Sequence, residues 1–138
     1  MTTFLLDTDV LSEQTRAKPN ARLSGWLARH TAEGYAIASV TLGEVRYGIE
    51  RHPHGRKRSA LERWWRTTVL RLPILAYDRD AAIWHARERA RLDKLGTPRP
   101  FVDGQIAAVA AVNGLEVVTR NAADYEPFDV VLTDWRRE

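Results

Sequence analysis

Several carboxylate side chains stand directly after apolar segments or near the starts of helical patterns. Asp7 closes the apolar run at residues 4–6, and Glu44 and Asp103 lie close to the starts of two later helices. Clustered carboxylates repel one another, so they tend to persist where a cation lies between them. Oxygen ligands, in a chain without Cys, suit Mg²⁺ or Mn²⁺. These residue types and positions favour a divalent-cation site.

Two further polar side chains, Asn121 and Asp124, follow the apolar run at residues 115–119. If that run is a strand of the same parallel sheet as residues 4–6, both follow its carboxyl end. Ligands of open parallel sheets bind at the carboxyl ends of the strands, near the point where the strand order reverses. We therefore expect Asn121 and Asp124 to approach Asp7, Glu44 and Asp103 at one edge of the sheet.

Each acid also has a simpler structural explanation. Asp7 and Asp124 can cap a helix or a turn. Glu44 fits a capping box with Thr41 as the first residue, and Asp103 is favourable near a helix N-terminus because of the helix dipole. Capping explains each residue singly, but it does not explain why all of them point to one edge. The sequence by itself leaves both interpretations open.

The elements that must position these residues alternate between strands and helices. Apolar runs predict five strands, at residues 4–6, 35–40, 72–76, 115–119 and 130–133. Between them, the spacing predicts a short helix through Leu11, a helix opening at Pro19, and helices over residues 41–49, 56–70, 79–96 and 101–112. Strands that are apolar on both faces indicate a mostly parallel sheet covered on both sides. The predicted fold is α/β, with three layers and about five strands.

Length and composition fit an ordinary globular domain. The chain has 138 residues, of which 44% are hydrophobic and 28% charged, so residues 1–138 are predicted to form a single domain. No apolar run approaches the roughly 20 residues that span a bilayer. The first residues lack the basic and apolar regions of a signal peptide. We expect a cytoplasmic protein without membrane association.

The net charge of +3 conceals a strongly basic segment around Arg56, Lys57 and Arg58. Such a segment can bind the phosphate backbone of a nucleic acid, although a solvated helix face gives the same pattern. Trp64 and Trp65 follow it on the same predicted helix. Adjacent rings point in different directions around a helix, so one of the two is expected to face a partner.

Three segments, in their order along the chain, resemble the PIN domain: FLLDTDVLSE, SVTLGEVRYGIE and FVDGQIAAVAAVNGLEVVTRNAADYE. More closely, they resemble the VapC-type toxins of bacterial type II toxin–antitoxin pairs, including the FitB-like branch. The resemblance extends from Phe4 to Trp135. The three motifs are specific when they occur together in this order, whereas each of them alone is weak evidence.

The resemblance implies a Mg²⁺-dependent endoribonuclease that cuts structured RNA of the tRNA or rRNA class and so inhibits translation. Asp7, Glu44 and Asp103 occupy the family's acidic positions, with Asp7 and Asp103 as direct metal ligands. Many PIN domains carry an acid where this chain has Asn121, and Asp124 would then act through water or support a ligand.

The same resemblance implies partners. These are a VapB-like antitoxin, a second copy of the chain in a homodimer, and operator DNA that is reached through the antitoxin. Arg56, Lys57 and Arg58 are the residues expected to help bind RNA.

Two alternatives remain at this point. The segment Leu5-Leu6-Asp7-Thr8-Asp9-Val10 resembles the start of haloacid-dehalogenase-type phosphatases, in which the first Asp is a phosphorylated nucleophile. Alternatively, the chain is a catalytically weak PIN module that only binds nucleic acid or an antitoxin. Divalent-dependent RNA cleavage would distinguish the first interpretation from both, and covalent phosphate on Asp7 would identify the phosphatase.

Overall fold

The computed structural model describes residues 2–137. Within these residues a parallel sheet contains the strands β1 (Phe4–Leu6), β2 (Tyr35–Ala38), β3 (Ile74–Leu75) and β4 (Glu116–Val118). Their order in the sheet is β3-β2-β1-β4. Leu5 is in register with Ala36 on one side and with Val117 on the other. The sheet therefore grows first to one side of β1 and then to the other.

Seven α-helices of the described chain cover this sheet. They are α1 (Thr8–Glu13), α2 (Ala21–Arg29), α3 (Ser39–Glu50), α4 (Arg56–Thr67), α5 (Arg79–Lys94), α6 (Phe101–Val112) and α7 (Ala122–Tyr125). Short 3-10 segments lie at Thr31–Glu33, Val69–Arg71 and Trp135–Arg137. Asp78 caps α5 by accepting a hydrogen bond from the Ala81 amide. Gly96 follows α5 with a φ of 73°, a conformation that favours glycine at the end of a helix.

The strands alternate their side chains between two hydrophobic cores. Leu5 and Val117 join a core beneath α5 and α6. Leu6 and Val118 join a second core, which is covered by α1 to α4 and includes Trp26. Successive strand residues point to opposite faces, so both faces of the sheet are buried. The predicted three-layer α/β architecture is confirmed.

Helices α5 and α6 pack closely because a glycine stands at their contact. A Cβ atom on Gly104 would lie 2.3 Å from Nε2 of His85. The His85 ring is buried, its Nδ1 lies 3.0 Å from the Tyr77 hydroxyl, and it meets the ring of Phe101 edge to face. This contact fixes the first turn of α6, which carries Asp103.

Several parts of the predicted element pattern are wrong. Helix α4 ends at Thr67 rather than at residue 70, β3 covers only Ile74–Leu75 of the predicted 72–76, and α7 was not predicted. Residues 130–133 do not form a fifth strand within residues 2–137: Leu132 makes only an isolated bridge to Val117, with two backbone hydrogen bonds of 2.9 Å. Helix α3 begins at Ser39 rather than Thr41, which shortens β2 to Ala38. Ser39 and Val40 read as strand from their types, but the chain turns into the helix directly after the last apolar strand residue.

Within residues 2–137, every helix falls short of the length or the hydropathy that a membrane-spanning helix requires.

Candidate active site

Asp7 lies at the carboxyl end of the central strand and is only 6% exposed. Its Oδ1 accepts a 2.7 Å hydrogen bond from the Thr8 amide, and its Oδ2 accepts one of 2.9 Å from the Thr119 hydroxyl. Burial, and then the charge of Asp9, raise the pKa of Asp7 to about 7. The carboxyl group is therefore fixed in orientation by the first residue of α1 and by the residue after β4, yet it is poorly stabilised as an anion.

Asp9 is a site residue that the sequence analysis did not assign. It lies in the first turn of α1, and its Oδ1 accepts a 3.4 Å hydrogen bond from the Arg120 amide. Burial raises the pKa of Asp9, and the charge of Asp124 adds to this. The sequence analysis considered Asp7 and Asp9 together only as part of a phosphatase-like motif. The two-residue spacing around a helix start was the signal that could have identified Asp9.

Asp103 is the acid that α6 contributes, and it lies in the first turn of that helix. Burial raises its pKa to about 6, and three neighbouring carboxylates add to the effect. These belong to Asp124, Glu44 and Asp9. Charges act strongly only over short distances in solvent, so the mutual effects of these carboxylates indicate that they lie near one another. We call the space beside Asp7, Asp9, Glu44, Asp103 and Asp124 the acidic crevice.

Glu44 is not the end of a capping box, contrary to one of the explanations above. Helix α3 begins at Ser39, so Glu44 lies in its second turn and Thr41 is not an N-cap. Instead, Oε1 of Glu44 accepts a 2.6 Å hydrogen bond from the hydroxyl of Thr8. Glu44 is exposed, and this bond ties its carboxylate to the residue next to Asp7.

Asn121 also enters the crevice, but as a hydrogen-bond donor. Its Nδ2 donates a 2.5 Å bond to Oδ2 of Asp9, and its backbone amide donates a 3.0 Å bond to the Thr119 hydroxyl. Thr119 in turn donates to Asp7. The segment after β4 thereby holds both Asp7 and Asp9. Asn121 thus contacts Asp9, and the charge of Asp124 acts on Asp9 and Asp103.

The C-terminal 3-10 segment supports this arrangement. The indole Nε1 of Trp135 donates a 2.8 Å hydrogen bond to the carbonyl of Thr119, and Nη2 of Arg136 donates one of 2.8 Å to the carbonyl of Arg120. Trp135 is buried in the core on the α1 side of the sheet. Trp135 and Arg136 therefore hold the loop after β4, whose Thr119 donates a hydrogen bond to Asp7.

The donor chemistry of the crevice fits a divalent cation. The side chains of Asp7, Asp9, Glu44, Asp103 and Asp124 offer carboxylate oxygens, as Mg²⁺ prefers. Burial, and then neighbouring carboxylates, raise the pKa of Asp7 and of Asp103, so a bound cation would stabilise their charged forms. Among residues 2–137, no three acidic or His side chains close tightly enough to surround an ion. A cation bound there would take several of its oxygen ligands from water, as Mg²⁺ commonly does.

The predicted RNA-binding residues differ in their surroundings. Arg56 and Lys57 are exposed in the first turn of α4. Arg58 is half-buried and engaged: Nη2 lies 3.2 Å from Glu50, Nε lies 3.7 Å from Glu62, and Nη1 donates to the carbonyl of His52. Arg58 therefore serves the contact between α3 and α4.

Trp64 and Trp65 do not leave an exposed ring, in contrast to the expectation. Both are half-buried against the core that contains Trp26. The guanidinium of Arg46 also lies over the Trp65 ring, 5.3 Å from its centroid. Neither indole projects as a free interface anchor.

Comparisons with known proteins agree with this geometry. Residues 4–126 match the family described as PIN domain. The chain is 33% identical over 136 residues to Toxin FitB of Neisseria gonorrhoeae, covering 96% of this chain and 98% of that protein. It is 32% identical over 143 residues to the tRNA(fMet)-specific endonuclease VapC of Salmonella typhimurium, covering 98% and 99%.

The fold is also similar to a solved complex. The crystal structure of DNA-bound VapBC from Salmonella typhimurium superposes with a TM-score of 0.83 at 32% identity, over 98% of this chain and 99% of that one. The PIN match includes Asp7 and Asp9, so it does not favour the phosphatase alternative. The chain therefore belongs to the PIN domain family, alongside the VapC and FitB toxins.

Proposed function

We propose that the chain is a divalent-cation-dependent endoribonuclease that acts as the toxin of a toxin–antitoxin pair. The observation that carries this proposal is the gathering of Asp7, Asp9, Glu44, Asp103 and Asp124 at the crevice where the strand order reverses. The relatives named as a toxin and as a tRNA endonuclease support the same reading.

Asp7 and Asp103 are the proposed ligands of Mg²⁺, with Mn²⁺ as a substitute. When bound, the ion would lower the pKa of a water molecule and neutralise charge on the scissile phosphate. Thr119 and the Thr8 amide hold the Asp7 carboxylate in one orientation. Fixed orientation matters because Mg²⁺ demands nearly ideal octahedral geometry.

Glu44 is the proposed group that orients the attacking water or accepts its proton. The Thr8 hydroxyl occupies one lone pair of Oε1, and the second oxygen of the exposed carboxylate remains available to a water molecule. Asp124 would act through water, and Asn121 would hold Asp9. In-line attack would leave a 5′-phosphate and a 3′-hydroxyl.

Structured RNA of the tRNA or rRNA class is the proposed substrate, with the exposed Arg56 and Lys57 contributing to its binding. A VapB-like antitoxin is the proposed partner, and a homodimer of the chain would reach operator DNA through that antitoxin. The VapBC complex on DNA supports this assembly.

The decisive experiment is to incubate the purified chain, free of antitoxin, with total RNA in Mg²⁺ or in EDTA and to map the new ends. Asp7→Asn and Asp103→Asn should each abolish cleavage while the protein stays folded. Asp78→Asn is a matched control, because Asp78 only caps α5. Undiminished cleavage by Asp7→Asn in Mg²⁺ would refute the assignment of the metal ligands.

A further inference from the structure

Tyr125 presents an unexplained polar atom at the back of the crevice. Its side chain is fully buried, and its ring packs into the core beside Phe128 and Ile106. The hydroxyl, however, has no partner that meets the distance and angle of a hydrogen bond. Buried polar atoms without partners are rare in folded proteins and destabilise them.

The position of this hydroxyl points to the acids. It lies close enough to Asp7 to lower the pKa of that carboxyl. The charges of Asp7, Asp103 and Asp9, in turn, act on the phenol and, after burial, help it keep its proton. The hydroxyl is thus a neutral O–H donor that lies near Asp7 on the buried side of the acids.

The core does not require the oxygen atom. A phenylalanine would fill the same space beneath α6 and would leave no polar atom unpaired. The other described buried side-chain atoms without partners belong to Gln14 and Arg120. What Tyr125 lacks is an acceptor in the right place, and a filled crevice would bring carboxylate or water oxygens into fixed positions.

We propose that Tyr125 is a positioning residue of the acidic crevice, whose hydroxyl gains its hydrogen bond when a divalent cation fixes the oxygen atoms around Asp7. This inference rests on the proposed function, because it assumes that a cation binds there. Hydrogen bonds to charged groups are stronger than those between neutral groups, so the loss should be measurable as cation affinity.

The test compares Tyr125→Phe with the wild-type chain by calorimetric titration with Mg²⁺, and by thermal unfolding in EDTA. Tyr125→Phe should bind Mg²⁺ about tenfold more weakly. Its unfolding temperature in EDTA should be unchanged or higher, because the variant removes only an unpaired polar atom. The rise in unfolding temperature on adding Mg²⁺ should be smaller than in the wild type.

Tyr35→Phe is the matched control. The Tyr35 hydroxyl donates to the carbonyl of Leu27, and its ring lies beside Phe4 and Trp26, at the opposite end of β1 from Asp7. This variant should lower the unfolding temperature in EDTA and leave Mg²⁺ affinity unchanged. The two variants therefore predict opposite patterns from the same chemical change.

Equal Mg²⁺ affinity of Tyr125→Phe and the wild type would overturn the inference and leave the proposed function intact. A lower unfolding temperature of Tyr125→Phe in EDTA would also overturn it, since the hydroxyl would then have a partner in the cation-free protein. A wild-type chain that neither binds Mg²⁺ nor cuts RNA would instead overturn the proposed function, and the inference with it.

Discussion

At the residue scale, the crevice holds acids that destabilise one another. Asp7 titrates near pH 7 and Asp103 near pH 6 when folded, because burial and neighbouring carboxylates disfavour their charged forms. A cation would relieve both penalties. These acids therefore lower the stability of the folded protein as long as no cation is bound.

This destabilisation predicts that the stability of the folded chain depends on pH. Folded Asp7 has a pKa of about 7 against an ordinary value of 3.8, so between these values the folded chain binds more protons than the unfolded chain. Stability in EDTA should then fall as pH rises through this range. Asp7→Asn removes the effect: its unfolding temperature should exceed that of the wild type at about pH 8 and approach it at about pH 5. A gap that does not change with pH would contradict the assignment.

Glu44→Gln distinguishes catalysis from helix support. Glutamine keeps the oxygen that accepts from Thr8, so the unfolding temperature should change little. Cleavage should fall about 10²-fold, the range expected for loss of a general base. Glu62→Gln is the control, because it removes an ion pair with Arg46 on α3 and should leave cleavage unchanged. Near-normal cleavage by Glu44→Gln would remove Glu44 from the mechanism.

The positions of Asp7 and Asp103 could be predicted because strand ends and helix starts are visible as hydropathy changes. Asp9 was missed although its spacing from Asp7 was a signal, because its contact with Asn121, 112 positions away in the sequence, exists only in the folded chain. The place of Glu44 was predicted, but its helix start was wrong by two residues. Such boundaries depend on tertiary contacts, here the bond from the Tyr77 amide to Ser39 Oγ.

At the element scale, the contact between α5 and α6 determines where Asp103 sits. Gly104→Ala should destabilise the protein by about 1–3 kcal/mol, because the added methyl group would overlap the buried His85 ring. Gly48→Ala in α3 is the control: nothing lies within 4 Å of its added Cβ, so it should stabilise by about 0.5–1 kcal/mol. Urea unfolding measures both. Equal effects would mean that α5 and α6 can separate without cost.

Helix α4 offers a second test at this scale. Arg56→Gln with Lys57→Gln should weaken RNA binding and reduce the slope of log affinity against log salt by about 1–2, because fewer counterions are released. Arg58→Gln should lower stability and leave that slope unchanged, since Arg58 is occupied by Glu50 and Glu62. Filter binding over a salt series gives both slopes. A double variant with the wild-type slope would assign this helix face to solvent.

The predicted fifth strand shows that hydropathy alone does not determine whether a segment pairs with a sheet. Residues 130–133 have the apolar types of a strand, but only Leu132 pairs with Val117. A run of four residues at a sheet edge has a partner on one side only, so the loops that flank it determine whether pairing extends. The central strands β1 and β2 were found because they are buried on both faces, although β2 ends two residues earlier than predicted.

At the scale of the whole molecule, the acidic crevice is itself a site that a basic partner could block. An arginine of the antitoxin could pair with Asp7 and Asp103 and compete with the cation. Co-expression with the neighbouring small gene product should give a complex of dimeric toxin that no longer cuts RNA. Light scattering and an RNA-cleavage assay would measure both properties.

Two outcomes would count against this prediction in different ways. A chain that stays monomeric at micromolar concentration and forms no complex would contradict the whole assembly. A complex that cuts RNA at the full rate would contradict only the inhibition.

The pairing of β1 with β4 has a kinetic consequence. The Asp7 carboxylate receives its bond from Thr119 across 112 positions of sequence, and parallel pairing over such distances carries a large loop-closure cost. Collapsed or locally helical chains cannot contain the crevice, because its walls come from opposite ends of the polypeptide. Enzymatic competence should therefore appear with the last cooperative step of refolding, and a partly folded chain should be harmless to the cell that makes it.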